Sequence, residues 1–90
     1  KPYFDKKNNI EFDGVGFDKV QYILEIKWRN RPATYKDLEK FLWKVKRSEF
    51  SEKTKRLFFI SKSFTERALK FAHKNQITVS EEDLEDITEV

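Results

Sequence analysis

The chain has no cysteine and no methionine among its 90 residues, and only two glycines, two prolines and one histidine. Without cysteine there are no disulfides, no thiolate metal sites and no cysteine nucleophile. The single histidine, His73, has no partner at metal-ligand spacing, which argues against a zinc site. Ser, His and Asp form no recognisable acyl-transfer order either. With glycine only at positions 14 and 16 there is no Gly-rich phosphate loop, so this piece should not bind ATP by itself. No apolar run is long enough to span a bilayer and no charged-then-apolar leader is present, so the chain reads as a soluble, cytoplasmic piece. It opens on Lys1 without any methionine, and the expectation is a single domain cut from something longer. Repeats and low-complexity stretches are also missing.

What is abundant is charge, at 39% of residues, together with 16% aromatics. High Lys and Glu content with many aromatics suits a hot-growing source. The net charge of +3 conceals an asymmetry, because six of the sixteen acidic residues (Glu81, Glu82, Asp83, Glu85, Asp86 and Glu89) fall in the last ten positions. Residues 1–79 therefore carry a net +9, with 19 basic residues against ten acidic ones. A basic body suggests a polyanionic partner such as nucleic acid; the plainer reading is a solvated lysine-rich surface.

Residues 1–9 read as a linker or an added edge strand closed by the turn-prone pair Asn8-Asn9, and 10–90 as the domain proper. A hairpin is expected over roughly 10–17 and 20–28, with Gly14 and Gly16 marking a bulge or a close backbone approach. Alternation on the second strand sends Val20, Tyr22, Leu24, Ile26 and Trp28 to one face, read as the buried one with Trp28 in the core. Gln21, Ile23, Glu25 and Lys27 go to the other. Glu25 and Lys27 then stand side by side, and folding the first strand back antiparallel lets Asp13 lie across from Glu25. Thr34 with Asp37 resembles a helix cap, and Tyr35, Leu38, Phe41, Leu42 and Val45 recur at helical spacing up to about Ser48. The all-apolar run Leu57-Phe58-Phe59-Ile60 fits a central strand covered on both faces and parallel to the second strand. Ser63 and Glu66 look like a capping box for a helix burying Ala68, Leu69 and Ala72; Ile77-Thr78-Val79 reads as a fourth strand, and Ser80 with Asp83 as the cap of a last acidic helix through Ile87. The sum is α/β: a four-stranded mixed sheet, an antiparallel hairpin followed by parallel strands, with right-handed crossover helices.

An Asp ending one strand, Glu-x-Lys on the next, a crossover helix and a buried apolar strand together resemble the PD-(D/E)xK, or restriction-endonuclease-like, nuclease superfamily. Glu11-Phe12-Asp13, Glu25-Ile26-Lys27-Trp28 and the run from Phe58 to Thr65 are most similar to the nuclease-like domain at the C-terminus of archaeal ATPases. The resemblance implies a Mg²⁺- or Mn²⁺-dependent DNA endonuclease domain attached to an upstream ATPase. Asp13 and Glu25 would be the metal ligands, joined by the backbone carbonyl of Ile26, with Lys27 beside the attacking water and Glu11 as an accessory carboxylate. The chemistry is coherent on its own terms, since hard carboxylate oxygens suit these ions and phosphodiester cleavage needs a nearby cation. Two features depart from the family. The helix that usually precedes the hairpin is not in the nine residues before it; it is absent or lies upstream, and the piece at hand is expected to be a core lacking its first helix. Lys36, Lys40 and Lys44 stand in the crossover helix where some relatives carry glutamine. A non-catalytic module of the same fold, docking DNA or protein, is the alternative, and a structural interaction domain without a nucleic-acid role is the second rival.

Arg29, Arg31, Lys36, Lys40, Lys44, Lys46 and Arg47 follow the site and could track a phosphate backbone. Lys62 and Ser63, read as opening a helix, could touch phosphate through its N-terminus. Trp43 falls among Lys36, Glu39, Lys40 and Arg47, off the apolar stripe. It is read either as an interface (with the upstream domain, a second copy of the chain or DNA) or as a ring lying over lysine stems.

Overall fold

The computed structural model describes residues 2–17, 21–52 and 55–82. Along the chain the elements are β1 (Tyr3–Asp5), β2 (Ile10–Phe12), β3 (Gly14–Phe17), β4 (Gln21–Lys27), α1 (Tyr35–Arg47), β5 (Lys55–Ser61), α2 (Glu66–Lys74) and β6 (Ile77–Ser80). Strands β3 to β6 form one sheet in sequence order, β3 antiparallel to β4 and β5 and β6 parallel to it. The expected mixed sheet with crossover helices is therefore present. Because β4, β5 and β6 advance in one direction, two right-handed crossovers lay α1 and α2 on the same face, where they touch.

That handedness decides which side of the sheet is the core. Register aligns Val15, Ile23, Leu57 and Ile77 in one row and Glu25, Phe59 and Val79 in the next, beneath Leu38, Phe41 and Val45 of α1 and Ala68 and Ala72 of α2. The ring of Phe41 meets Phe12 and Phe59 edge-on at centroid distances of 6.4 and 5.8 Å, and each such pair adds about 1 kcal/mol beyond the area it buries. The face expected to be buried is the other one. Tyr22, Leu24 and Ile26 are only half-buried there and Trp28 is 40% exposed, so Trp28 is not a core residue; Val20 lies outside the described residues. The expectation failed because strand alternation gives two faces without saying which one the helices take.

The first strand of the hairpin is broken at Asp13. Instead of one strand over 10–17, β2 turns away and pairs with β1 in a separate two-stranded ribbon, Tyr3 opposite Phe12. Tyr3–Asp5 of the opening segment is therefore a strand of this ribbon and not of the main sheet, and the ribbon is closed by a turn in which Asn9 adopts a left-handed φ of 54°. The Asp5 carboxylate holds that turn, accepting from the Asn8 backbone and side chain at 3.2 and 2.9 Å and from the Glu49 backbone at 3.2 Å. Gly14 is a close approach, as expected: a Cβ there would lie 3.3 Å from a methyl of Leu24.

Helix α1 has the expected cap, with Asp37 Oδ2 accepting the Thr34 N–H at 2.8 Å. Helix α2 does not start as expected. Its cap is Thr65, whose hydroxyl accepts from Ala68 N at 3.1 Å. Ser63 is occupied elsewhere, its carbonyl accepting from Ala33 N in a short parallel bridge. Ala68 and Ala72 are buried, but Leu69 is 44% exposed. The expected last helix, capped by Ser80 and Asp83 and running through Ile87, lies from residue 83 onward outside the described residues; Ser80 itself ends β6.

Candidate functional site

The two acids and the lysine come together because of how β3 and β4 pair. Gly14 lies opposite Leu24, so the antiparallel register carried one residue further sets Asp13 across from Glu25. There the β3 backbone gives way to a side chain: Asp13 Oδ2 accepts the Ile26 N–H at 2.7 Å. The N–H and C=O of a strand residue point to the same edge, so the Ile26 carbonyl faces the edge that Asp13 occupies. Asp13 Oδ1 accepts no hydrogen bond among the described residues.

Glu25 and Lys27 share the helix-facing side of β4. Glu25 is 6% exposed, in the same row as Phe59, and both of its carboxylate oxygens accept from Lys44 of α1, at 3.0 and 3.3 Å. Burial pushes the Glu25 carboxyl up; Lys44 and then Lys27 pull it back, and Asp13 adds a smaller upward push. Two cations and one further acid therefore act on Glu25 at the end of β4. Lys27 makes no side-chain ion pair among the described residues. Beside it in register, the Ser61 hydroxyl is fully buried without a partner among them, a polar group that a water or ligand oxygen would satisfy.

Glu11 does not join Asp13 directly. It is exposed on β2 and lines a cleft of about 350 Å³ between the β1–β2 turn and α1, with Asn8, Asn9, Trp43, Lys44 and Arg47. Lys44 thus links this cleft to Glu25. Trp43 is 56% exposed, and the Arg47 guanidinium lies over it, 4.4 Å from the ring centre. Lys36 and Lys40 border the same ring, exposed on the outer side of α1.

Arg29 and Arg31 turn instead to Asp37, at 3.2 and 3.9 Å. Burial raises the Asp37 carboxyl, but the Thr34 N–H and Arg29 outweigh it and hold the group below the usual carboxylate range. Lys62 is exposed, donates to Asn30 at 3.2 Å and lies 5.8 Å from the Trp28 ring centre. Since α2 starts at Glu66, Lys62 and Ser63 precede the helix and do not open it. His73 is exposed on α2.

The residue that sequence reasoning left out of the site is Lys44. Its spacing groups it with the phosphate-tracking lysines, yet two signals point inward. It lies three residues after Phe41, on the flank of the apolar stripe, and a carboxylate on the buried face of β4 needs a cation from whatever covers it.

The donor set fits a hard divalent ion. Asp13 and Glu25 would supply carboxylate oxygens, the latter once freed of Lys44, and Ile26 a carbonyl on the same edge; such ions keep several waters, so few protein ligands are needed. Among the described residues no cluster of three or more His, Cys, Asp or Glu could hold a metal, so water and phosphate oxygens would have to complete the shell.

A sheet built of an antiparallel pair followed by parallel strands, with both crossover helices on one face, is a restriction-endonuclease-like fold. No protein-family model matches the chain, and no curated protein matches it in sequence. Among solved structures the chain is similar to the crystal structure of a repair endonuclease from Pyrococcus abyssi, with a TM-score of 0.62 and 26% identity. The match takes in 92% of this chain but 38% of the endonuclease, so the chain spans well under half of that protein's length. No described helix is long and apolar enough to cross a membrane.

Proposed function

We propose that this chain is the nuclease-like domain of a DNA-processing protein and hydrolyses DNA phosphodiesters with Mg²⁺ or Mn²⁺. The observation that carries the reading is the grouping of Asp13, Glu25 and Lys27 at the end of β4, with Asp13 hydrogen-bonded to Ile26 N and Glu25 under the charges of Asp13 and Lys27. A bound divalent ion supplies Lewis acidity at the phosphate and a more acidic water. Asp13, Glu25 and the Ile26 carbonyl are the groups to hold it. Lys27, with no acid committed to it, positions the attacking water or faces the charge that develops on the phosphate. Lys36 and Lys40 offer the phosphate backbone contacts that fix a duplex without reading its sequence. Arg29, Arg31 and Lys62 have protein partners to leave first. The fold similarity to a repair endonuclease supports the reaction class; an upstream ATPase as partner is proposed only from the resemblance of Glu11-Phe12-Asp13 and Glu25-Ile26-Lys27-Trp28 to the C-terminal domain of archaeal ATPases.

The test is Mn²⁺ binding and plasmid nicking by the wild type, Asp13→Ala and Lys27→Ala. Loss of metal binding in the first and of nicking in both is expected; nicking that is unchanged in both variants would sink the catalytic reading. One observation favours the second reading, a non-catalytic module of the same fold: both Glu25 oxygens are already taken by Lys44. Under that reading DNA affinity persists at low salt while neither metal nor cleavage depends on Asp13.

A further inference from the structure

We infer that Lys44 is a positioning residue that holds Glu25 in place of a divalent cation and has to release it before that cation can bind. The inference rests on the metal-dependent reading above. Its basis is the contact pattern around Glu25. The Glu-x-Lys partner is not what satisfies this buried carboxylate; the two bonds come from α1, at 3.0 and 3.3 Å. Helical side chains lean toward the helix N-terminus, which for α1 is the end that follows β4, so the Lys44 stem is aimed at the site. The ammonium lies 5.4 Å from the centre of the Phe12 ring, which fixes its path.

The charge count gives the exchange its direction. Asp13, Glu25, Lys27 and Lys44 sum to zero. A divalent ion added to all four would leave the site doubly positive around a carboxylate that is 6% exposed, and expelling one ammonium relieves it. Lys27 is needed at the reacting phosphate, so Lys44 is the one to go. It also has somewhere to go: its side chain is 23% exposed and lines the cleft that contains Glu11, Asn8 and Asn9, whose oxygens can receive an ammonium. Glu11 then serves as the acceptor for the displaced lysine rather than as a metal ligand.

The experiment measures Mn²⁺ binding to the whole chain without DNA, by the electron paramagnetic resonance signal of free Mn²⁺, for wild type, Lys44→Met, Lys44→Arg and Asp13→Ala. Lys44→Met is expected to bind Mn²⁺ about tenfold more tightly than wild type, a modest share of the repulsion between neighbouring cations. Lys44→Arg should stay near wild type. In the unmutated protein, Mg²⁺ should shift the Lys44 side-chain resonance in a lysine-labelled NMR spectrum. That reading does not depend on Lys44→Met folding. Unchanged or weaker Mn²⁺ binding by a folded Lys44→Met, while Asp13→Ala still abolishes it, would overturn the role of Lys44 alone, as would a Lys44 resonance that Mg²⁺ leaves in place. Absence of Mn²⁺ binding in both wild type and Lys44→Met would overturn this role and the metal-dependent reading together.

Discussion

Replacing Glu25 by glutamine is expected to make the metal-free protein more stable at neutral pH, although it removes a group central to the site. The residue is 6% exposed, and burial pushes its carboxyl up by more than Lys44 and Lys27 pull it down. The native state therefore binds a proton more readily than the unfolded chain does. Between the ordinary carboxylate range and the raised native value, stability falls as pH rises. The penalty is complete above that window and absent below it. Glutamine keeps the shape and has no charge to desolvate. The released Lys44 ammonium, on a side chain that is 23% exposed, can reach water along its own stem. With that outlet available, the expected gain is on the order of 1 kcal/mol, the low end for exchanging a buried ion pair for neutral groups. For a chain of 90 residues that is a rise in Tm of about 4–8 °C. Thermal melts in chelator from acid to neutral pH measure it, and the advantage should fade as pH drops through the carboxylate range. A variant that melts below wild type at neutral pH, or whose advantage persists undiminished below about pH 3.5, would refute the reasoning.

Three other substitutions test the frame around the site. Asp37→Ala loses the Thr34 bond and the Arg29 pair and should cost about 1 kcal/mol at neutral pH; because the native carboxyl is held low, that stabilisation is present above the ordinary carboxylate range and lost as pH falls through the native value, so the gap from wild type should narrow in acid. Thr65→Ala should cost about 1 kcal/mol in denaturant unfolding and Ser63→Ala much less; the reverse order would put the cap of α2 back at Ser63. Trp43→Ala should change stability by no more than about 0.5 kcal/mol, as for other exposed positions. If the ring borders bound DNA, the same change should weaken duplex binding in a fluorescence titration, and equal affinity would assign the ring to another role.

Much of this architecture was legible because local signals agreed with global ones. The run Leu57-Phe58-Phe59-Ile60 is apolar at every position and lies in β5, one of the two interior strands, although helices cover only one of its faces and Phe58 on the other is half-buried. Thr34 and Asp37 marked a helix start that the structure keeps. Alternation put Glu25 and Lys27 on one side of β4, and the antiparallel register brought Asp13 to their level. What failed depended on layers rather than strands. Nothing in the alternation of β4 states which face meets helices; that follows from two crossovers of one hand in one direction. The break at Asp13 was hidden because a carboxylate replaces a carbonyl in the ladder, which spacing cannot reveal. Ser63 and Thr65 are both good caps by type, and only the bridge from Ala33 to Phe64 decides between them.

The position of Glu25 also explains why a lysine from the helix belongs to the site at all. The row occupied by Glu25, Phe59 and Val79 is a core row, so a carboxylate there cannot be solvated from the sheet side. Moving it to the opposite face would expose it to water but separate it from Lys27. An acid kept on the core face must therefore be neutralised by the layer above it, and α1 presents Lys44 on the flank of its apolar stripe. The same burial that costs stability at neutral pH keeps a negatively charged group in a low-dielectric place, where a cation is attracted more strongly than at the surface. A stabilising change at this position and a loss of cation affinity are therefore two readings of one electrostatic fact, and Glu25→Gln should show both in the same protein sample.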